Sequence, residues 1–315
     1  MATTTSITTT YAGEFAGKYI AAALLSAPTL EKGGLTIHPN VKYKQVIQRV
    51  ATDDIIKNAT CDFDATSTVT LTEKVLNPEE FQVNLQLCKK DFHSTWQAAE
   101  MGYGAFDVMP KSFSDFLIAH VAEKVASAME STIWTGVNAT AGQFAGLSTQ
   151  IAADAALPSA QEVAGTTVTA SNVTTELGKL VDAIPARLYG QPDLKLYVSQ
   201  NIYKAYVRAL GGFASGVGAN GYDNKGTNQV LGELVFDGVP VFMANGLAAN
   251  TAWATPTSNL HFATGLLNDM NEVKVLDMAD LDGSQNVRVI MRFSADAKYG
   301  FAEDCVVYGI TNSAN

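Results

Sequence analysis

The chain has 315 residues and a formal net charge of −10, from 21 basic and 31 acidic residues. Charged residues make up 17% of it, below the roughly 25% of an ordinary soluble protein, which favours either extensive contact with other chains or a surface rich in alanine and threonine. This acidic balance, with no basic cluster beyond pairs such as Lys89–Lys90, argues against tight binding of nucleic acid through phosphate neutralisation.

The first third of the chain is predicted to be mostly extended. Residues 1–10 hold six threonines and predict a flexible arm, followed by a short helix over 11–25. Residues 42–92 show apolar and polar positions in alternation, clearest at 81–87. About fifty residues of polar, extended chain predict a long hairpin that projects from the body and needs another surface to lie against.

Residues 112–135 are predicted to form one long helix. Ser112 is a natural N-cap with Asp115 three residues later, and Gly136 supplies the stop. At 1.5 Å per residue the helix is roughly 35 Å long, which suits a structural strut. Its apolar stripe, at helical spacing, comprises Phe113, Phe116, Leu117, Val121, Val125, Ala128, Met129 and Ile133.

The remainder alternates helix and strand before ending in strands. A helix is predicted from Asn172 to Pro185, a strand over 194–198 and a further helix over 200–210. The later strands are predicted over 239–244, 260–267, 273–278, 287–301 and 305–310. This order of elements indicates an α+β chain.

The stretch GGFASGVGANGYDNKG, residues 211–226, contains the G-x-G-x-x-G pattern at Gly216, Gly218 and Gly221. A dinucleotide cradle needs a buried strand before this pattern and a helix after it. Here a helical pattern precedes the glycines and no helical pattern follows them. We interpret the stretch as a surface loop and predict no nucleotide cofactor.

No metal or catalytic motif is found. No two histidines are separated by the short intervals typical of metal ligands. The four are His38, His93, His120 and His261. Asp280 and Asp282 suggest a calcium loop, but with Gly283 at its glycine position the first and last ligands would be Met278 and Val289. A hairpin turn explains these residues better. A catalytic site assembled only by tertiary folding stays open.

The cysteines and the apolar runs bear on the compartment. Cys61, Cys88 and Cys305 form no C-x-x-C pair and are odd in number, which predicts free thiols in a reducing cytoplasm. The apolar run at residues 19–25 is too short to span a membrane and lacks the basic region of a signal peptide. No membrane association is expected.

The predicted elements follow one another over nearly the whole chain in this order: an arm, a long two-stranded hairpin, a long helix, an α/β lobe and a closing hairpin. The phrases FLIAHVAEKVASAMESTIWTG (116–136), SNVTTELGKLVDAIPARLY (171–189), GVPVFMANGL (238–247) and the stretch 272–310 carry the likeness. In this order they resemble the major capsid protein of tailed bacteriophages, the Hong Kong 97-type shell fold.

The resemblance implies a domain plan and a set of assembly residues. The plan is an N-terminal arm (1–41), an extended loop (42–91), a peripheral domain with a spine helix (92–149, helix 112–135), an axial domain (150–272), a peripheral β hairpin (273–303) and a return to the axial domain (304–315). The implied assembly residues are Cys61, Asp62, Phe63, Asp64, Phe113, Phe116, Val121, Val125, Gly216, Gly218, Gly221, Asp280 and Asp282.

The resemblance also implies a structural, non-enzymatic function. Identical subunits, in hexamers and pentamers, would form the icosahedral shell of a virion in the host bacterial cytoplasm, with portal, scaffold or decoration proteins. The shell would enclose double-stranded DNA without sequence-specific binding. Alternatives are an encapsulin-like cellular compartment of the same fold and a cytoplasmic enzyme. The chain begins at Met1 directly before the arm, so we expect no long N-terminal scaffolding segment of the kind several relatives carry, and no Lys–Asn cross-link is assigned.

Overall fold

The computed structural model describes residues 9–12, 27–41, 43–52, 56–58, 61, 68–88, 111–211, 234–265 and 272–314. These residues form two six-stranded sheets, a separate two-stranded sheet and six helices. The chain is therefore of the mixed α+β class, as predicted.

The helices are α1 (Pro28–Glu31), α2 (Lys111–Thr135), α3 (Leu147–Ile151), α4 (Val173–Asp182), α5 (Gln200–Ala209) and α6 (Ala279–Asp282). The strands are β1 (Thr9–Ala12), β2 (Thr36–Pro39), β3 (Gln45–Thr52), β4 (Val69–Leu76), β5 (Glu79–Cys88), β6 (Glu162–Val163), β7 (Leu194–Val198), β8 (Leu234–Phe236), β9 (Val239–Met243), β10 (Ala252–Pro256), β11 (Leu260–Thr264), β12 (Glu272–Asp277), β13 (Asn286–Tyr299) and β14 (Val306–Tyr308). The predicted counterparts of α2, α4, α5, β7, β9 and β11–β14 all begin within one residue of these positions.

The first sheet is built around the long strand β13. Arg292 pairs with Gln82 of β5 and with Glu272 of β12, and Ala295 pairs with both β5 and β11 in the same way. β5 therefore lies along one edge of β13, while β12 and β11 follow each other along the opposite edge. β1 pairs with β12 and β2 pairs with β11, which completes the sheet.

Residues 79–88 correct the prediction of a hairpin that reaches to residue 91. They form β5 and pair with β13 over their whole length instead of projecting. The half-buried side chains that pack on the main core are Phe81, Val83, Leu85 and Leu87. The alternation predicted the strand correctly, but a period of two does not determine which strand it pairs with. The separate hairpin consists of β3 and β4 alone.

The second sheet has the strand order β6-β14-β10-β7-β9-β8. Helices α4 and α5 were predicted from their apolar spacing, and both bury their apolar faces in the same core as this sheet. The buried side chains include Val173, Leu177, Leu180, Ile202, Tyr203 and Tyr206. β10, whose five residues are all buried, was not predicted. Its sequence AWATP has no polar alternation and ends in proline, so it carries no strand signal.

Helix α2 packs against the buried face of β13. The buried side chains of the helix include Leu117, Ile118, Val121, Val125, Met129 and Ile133, in one cluster with Val287, Val289 and Met291. Ala128 was predicted on this stripe but is exposed. The helix begins at Lys111, so Ser112 lies inside its first turn and is not the N-cap. It ends at Thr135 as predicted, but Gly136 is not among the glycines with a positive φ. The glycine is needed for space instead, because a Cβ on Gly136 would lie 2.4 Å from the carbonyl oxygen of Phe144.

Aromatic side chains join the two large sheets into one core. Trp134 of α2 lies 5.4 Å from Tyr197 of β7 and 6.1 Å from Trp253 of β10, measured between ring centroids. Trp253 in turn lies 6.3 Å from Tyr299 of β13. The body is therefore continuous, and the β3–β4 hairpin is attached to it at one end.

Candidate assembly surface

The β3–β4 hairpin carries an uncovered apolar face. In its register Val50 lies opposite Leu71, Val46 opposite Val75 and Thr52 opposite Val69, so these positions share one side of the two-stranded sheet. The most exposed apolar members, which we call the hairpin face, are Val46 (46% exposed), Val50 (61%), Val69 (63%) and Leu71 (67%). Four neighbouring apolar side chains with no cover from the described residues indicate a contact surface for another molecule.

The opposite side of the hairpin faces the body and holds its root. Leu76, at the end of β4, is completely buried in a small cluster with Val41 and Ala263 of β11, and Ile47 packs against that cluster. The root is therefore fixed by apolar packing. On β3 the hairpin face already begins at Val46, next to Ile47 but on the other side of the strand.

Lysines add polar anchors on the β4 side. Lys74 Nζ donates to Asp154 Oδ2 at 2.8 Å, and Tyr299 Oη donates to the same oxygen at 2.6 Å. Burial alone would raise the pKa of Asp154, but the hydrogen bonds from Lys74 and Tyr299 hold it below its usual range. Lys298 Nζ donates to the carbonyl oxygen of Val75 at 2.7 Å. These contacts bind the strand to β13 and to the turn after α3.

Arg49 anchors the β3 side. Its guanidinium lies 3.5 Å from carboxylate oxygens of Glu303 and Asp304 and 5.0 Å above the ring of Phe301. Arg187 pairs with Asp304 as well, at 2.8 Å. Because these groups are partly exposed, each ion pair contributes at most about 1 kcal/mol, and the set mainly orients the hairpin.

Two histidines meet at the start of β3. The parallel pairing of β2 with β11 brings His38 Nε2 to 3.0 Å from His261 Nδ1, and Gln45 Nε2 lies 3.0 Å from His38 Nδ1. Burial lowers the pKa of His38, and burial together with His38 lowers the pKa of His261 to about 4. Both rings are therefore neutral near pH 7. This pair could not be predicted from the sequence, because the two residues are 223 positions apart.

Asp296 holds the other end of the root, where β4 turns into β5. Its Oδ2 accepts a hydrogen bond from the backbone N–H of Asn77 at 2.9 Å. Burial raises the pKa of this carboxyl to about 6. The folded state therefore takes up a proton here before the unfolded state does, and this contribution to stability grows as the pH falls from above 6 towards 4.

Asp296→Asn is expected to remove that gain. The free energy of unfolding of the wild type, minus that of the variant, should rise as the pH falls from 7 to 4, as measured by urea unfolding at a series of pH values. Asp282→Asn is the matched control. Hydrogen bonds from Ser284 lower the pKa of that exposed carboxyl. The free energy of unfolding of the wild type, minus that of Asp282→Asn, should therefore not rise as the pH falls. A wild type–D296N difference independent of pH would contradict the assignment.

The predicted assembly residues differ in their exposure, and several of them lie outside the described residues. Cys61 is exposed. Val121 and Val125 are buried within the chain, where they help to hold α2 to the sheet. Phe113 and Phe116 lie in the first turns of α2, with side chains outside the described part of the chain. Also outside the described residues are Asp62, Phe63, Asp64, Gly216, Gly218 and Gly221.

Asp280 and Asp282 lie in α6, the single helical turn that connects β12 to β13. Asp282 Oδ1 accepts a hydrogen bond from the backbone N–H of Ser284 at 2.9 Å, and Gly283 follows with φ of 72°. This is the predicted hairpin turn. Among the residues that the structure describes, no three His, Cys, Asp or Glu side chains come together as a metal site. No helix in this part of the chain is long and apolar enough to cross a bilayer.

A long helix against a β13-centred sheet, a second α/β layer and a hairpin held at its root make up a fold that is similar to those of phage capsid proteins. Three solved structures share it. They are the capsid of an empty GTA particle (TM-score 0.58, 13% identity, 91% of this chain and 90% of that chain), the procapsid of satellite phage P4 (0.53, 12%, 93% and 98%) and the mature capsid of bacteriophage PhiM1 (0.51, 9%, 89% and 86%).

At these identities the likeness establishes the fold, which resembles that of Hong Kong 97-type phage capsid proteins, as expected from the order of elements. No protein-family model and no curated protein matches the sequence.

Proposed function

We propose that this chain is the major capsid protein of a tailed phage, a structural subunit that assembles with identical copies, in hexamers and pentamers, into an icosahedral shell around double-stranded DNA. The observation that carries the proposal is the uncovered hairpin face of Val46, Val50, Val69 and Leu71. A single subunit leaves this face in water, and a neighbouring subunit would cover it.

The structural likeness supports a domain plan with one change to the plan implied by the sequence. Residues 43–76 act as the extended loop that lies over a neighbour, whereas β5 belongs with α2 and β13 in the peripheral domain. Residues 150–265 and 304–314 form the axial domain, whose loops gather at hexamer and pentamer centres. The β12–β13 connection with Asp280 and Asp282 lies where capsomers meet.

The energetics suit a shell made of many modest contacts. Full burial of one valine or leucine side chain contributes about 1.5–3 kcal/mol, and the hairpin face offers four side chains that are each roughly half exposed. One such contact is weak. A closed shell repeats it for every subunit, and linked contacts reinforce each other without any further interaction.

The charge of the chain fits an enclosing role. A net charge of −10 repels DNA phosphates, so packaged DNA would not adhere to the inner wall. No catalytic residue or cofactor is part of the proposal. Portal, scaffold and decoration proteins would be further partners in the virion, and assembly would take place in the host bacterial cytoplasm.

Replacing Val50 and Leu71 together by serine is expected to leave the subunit folded and to weaken each contact by about 2 kcal/mol, or roughly 30-fold. Both side chains are largely exposed, so the free energy of unfolding should change little. Gln48→Ser, on the same side of β3, is the control and should assemble normally. Sedimentation of assembled particles measures the loss, and equal particle yields from both variants would contradict the role of the hairpin face.

Negative-stain electron microscopy of the expressed full-length chain tests the function directly. Closed shells of uniform size are expected, and shells that contain genomic DNA when isolated from infected cells support a virion. A chain that remains a monomer at high concentration overturns the proposal. Shells filled with a protein cargo would overturn the virion assignment in favour of a cellular compartment.

A further inference from the structure

Three side chains from three strands form one hydrogen-bond chain at the root of the hairpin. Gln45 begins β3, His38 lies on β2 and His261 lies on β11. The amide nitrogen of Gln45 can only donate, so His38 Nδ1 accepts, and the proton of neutral His38 is on Nε2. That N–H donates to His261 Nδ1 over 3.0 Å. The chain thus ties the first residue of the hairpin to the main sheet through two neutral rings.

A proton added to His261 disrupts this arrangement. On His261 Nδ1 it would face the N–H of His38 at the present distance of 3.0 Å. A proton on His38 Nδ1 can instead be accepted by the side-chain oxygen of Gln45 once the amide turns over, so the link is kept. Two protons would place two cations with ring centroids 5.1 Å apart in a partly buried site. A neutral His261 is therefore the state that the closed root requires.

The hairpin itself covers His261. Ile47 and Arg49 of β3 line, together with His261, a cavity of about 350 Å³. Lys298 of β13 lies opposite His261 in the sheet and Asp296 lies on the same side of the strand. The charged groups that face the pair from the surrounding elements are Arg49, Arg187, Asp296, Lys298, Glu303 and Asp304.

The carboxylates in this set already have partners. Glu303 and Asp304 contact Arg49, Asp304 also pairs with Arg187, and Asp296 accepts from Asn77. Each carboxylate near a protonated histidine is therefore already bound to another donor. Lifting β3 away would instead return His261 to water, where an imidazolium is readily accommodated.

We propose that the His38–His261 pair is a proton-operated latch on the hairpin: with His261 neutral the root is closed, and protonation of His261 frees β3 from the main sheet. Its consequence for assembly rests on the proposed function, because the freed element is the one that would lie over a neighbouring subunit. The latch itself is a property of a single chain.

The direction of the pH effect follows from burial. The closed root holds the pKa of His261 at about 4, against 6.5 for an exposed ring. The closed state is therefore fully favoured above pH 6.5 and loses its advantage as the pH falls from 6.5 towards 4. Asp296, with a pKa of about 6, changes stability in the opposite direction over part of this range. Only a local measurement on β3 separates the two effects.

Hydrogen exchange of the full-length, unassembled chain, read by mass spectrometry, provides that measurement. After correction for intrinsic exchange rates, opening of the peptides that cover 43–52 should increase about 30-fold between pH 7.5 and pH 5, if His261 has a pKa of 6.5 when open and about 4 when closed. Peptides from 286–299 should not change. Equal opening of 43–52 at both pH values would overturn the latch.

Variants identify the groups responsible. His261→Gln should abolish the pH step, because it removes the ring that titrates, and His120→Gln on the exposed side of α2 is the control that should keep it. His38→Gln and Gln45→Leu leave His261 buried, so both should keep the step but increase opening of 43–52 at every pH, because each removes a link of the hydrogen-bond chain. A step that persists in His261→Gln would overturn the proposal. If the chain forms shells but shows no pH step in the exchange of 43–52, the latch is refuted and the proposed function is not. If the chain shows the pH step but forms no shells, the proposed function is refuted and the latch is not.

Discussion

Replacing Glu130 by alanine is expected to lower the free energy of unfolding by about 3–5 kcal/mol, because it leaves several buried donors without an acceptor. Glu130 lies near the C-terminal end of α2, which stops at Thr135, and is only 4% exposed. Its carboxylate accepts from the N–H of Thr29 at 2.9 Å, from the hydroxyl of Thr29 at 2.5 Å and from the N–H of Gly246 at 3.2 Å. Trp134 Nε1 donates to the same hydroxyl at 3.0 Å.

The effect is large because this carboxylate joins three separate parts of the chain. Thr29 belongs to α1, Glu130 to α2, and Gly246 to the connection between β9 and β10. The approach is so close that a Cβ on Gly246 would meet the carbonyl oxygen of Glu130.

Urea unfolding, followed by the fluorescence of the tryptophans, measures the loss. Glu123→Ala is the matched control, since this glutamate lies on the exposed side of the same helix and should change stability by no more than about 0.5 kcal/mol. Glu130→Gln should fall between the two, because the amide keeps one acceptor oxygen but directs a donor at the other partner. Equal stabilities of Glu130→Ala and Glu123→Ala would show that the carboxylate does not join these segments.

Glu130 also shows what the sequence hides. The helix itself was predictable, because the repeat of Leu117, Val121, Val125 and Met129 is a local signal. The buried face proved broader than that stripe and includes Trp134, one turn after Glu130. A single acidic residue between buried positions four residues away on either side is a usable sign of a buried carboxylate. Its partners, more than one hundred residues distant, are not readable from one sequence.

The pairing of strands is another feature that the sequence does not reveal. The alternation over residues 79–88 predicted a strand with the correct face inward, yet assigned it to the hairpin when its partner is β13. The His38–His261 pair and the contact of Asp296 with Asn77 also depend on pairing between distant segments. By contrast, the exposed face of β3 and β4 followed from composition, because so few large apolar residues over such a length cannot form a core of their own.

Val121→Pro is expected to destabilise the subunit by about 3 kcal/mol or more and to abolish particles, because proline removes a backbone hydrogen bond inside a helix and its ring clashes with the preceding turn. Val121 lies in the interior of α2 and is buried against the first sheet. A break there separates the first turns of the helix from the part that reaches Glu130 and Trp134. The strut between the two sheets would then be lost.

Two further proline variants separate this backbone effect from simple loss of a side chain. Lys111→Pro, at the first residue of α2, removes an N–H that has no partner in the helix, so it should assemble normally. Glu123→Pro, at an exposed interior position, should fail as Val121→Pro does. Circular dichroism reports the helix and negative-stain microscopy the particles. Normal particles from Val121→Pro would show that the shell does not need a continuous α2, and the role of this helix as the spine of the subunit would have to be abandoned.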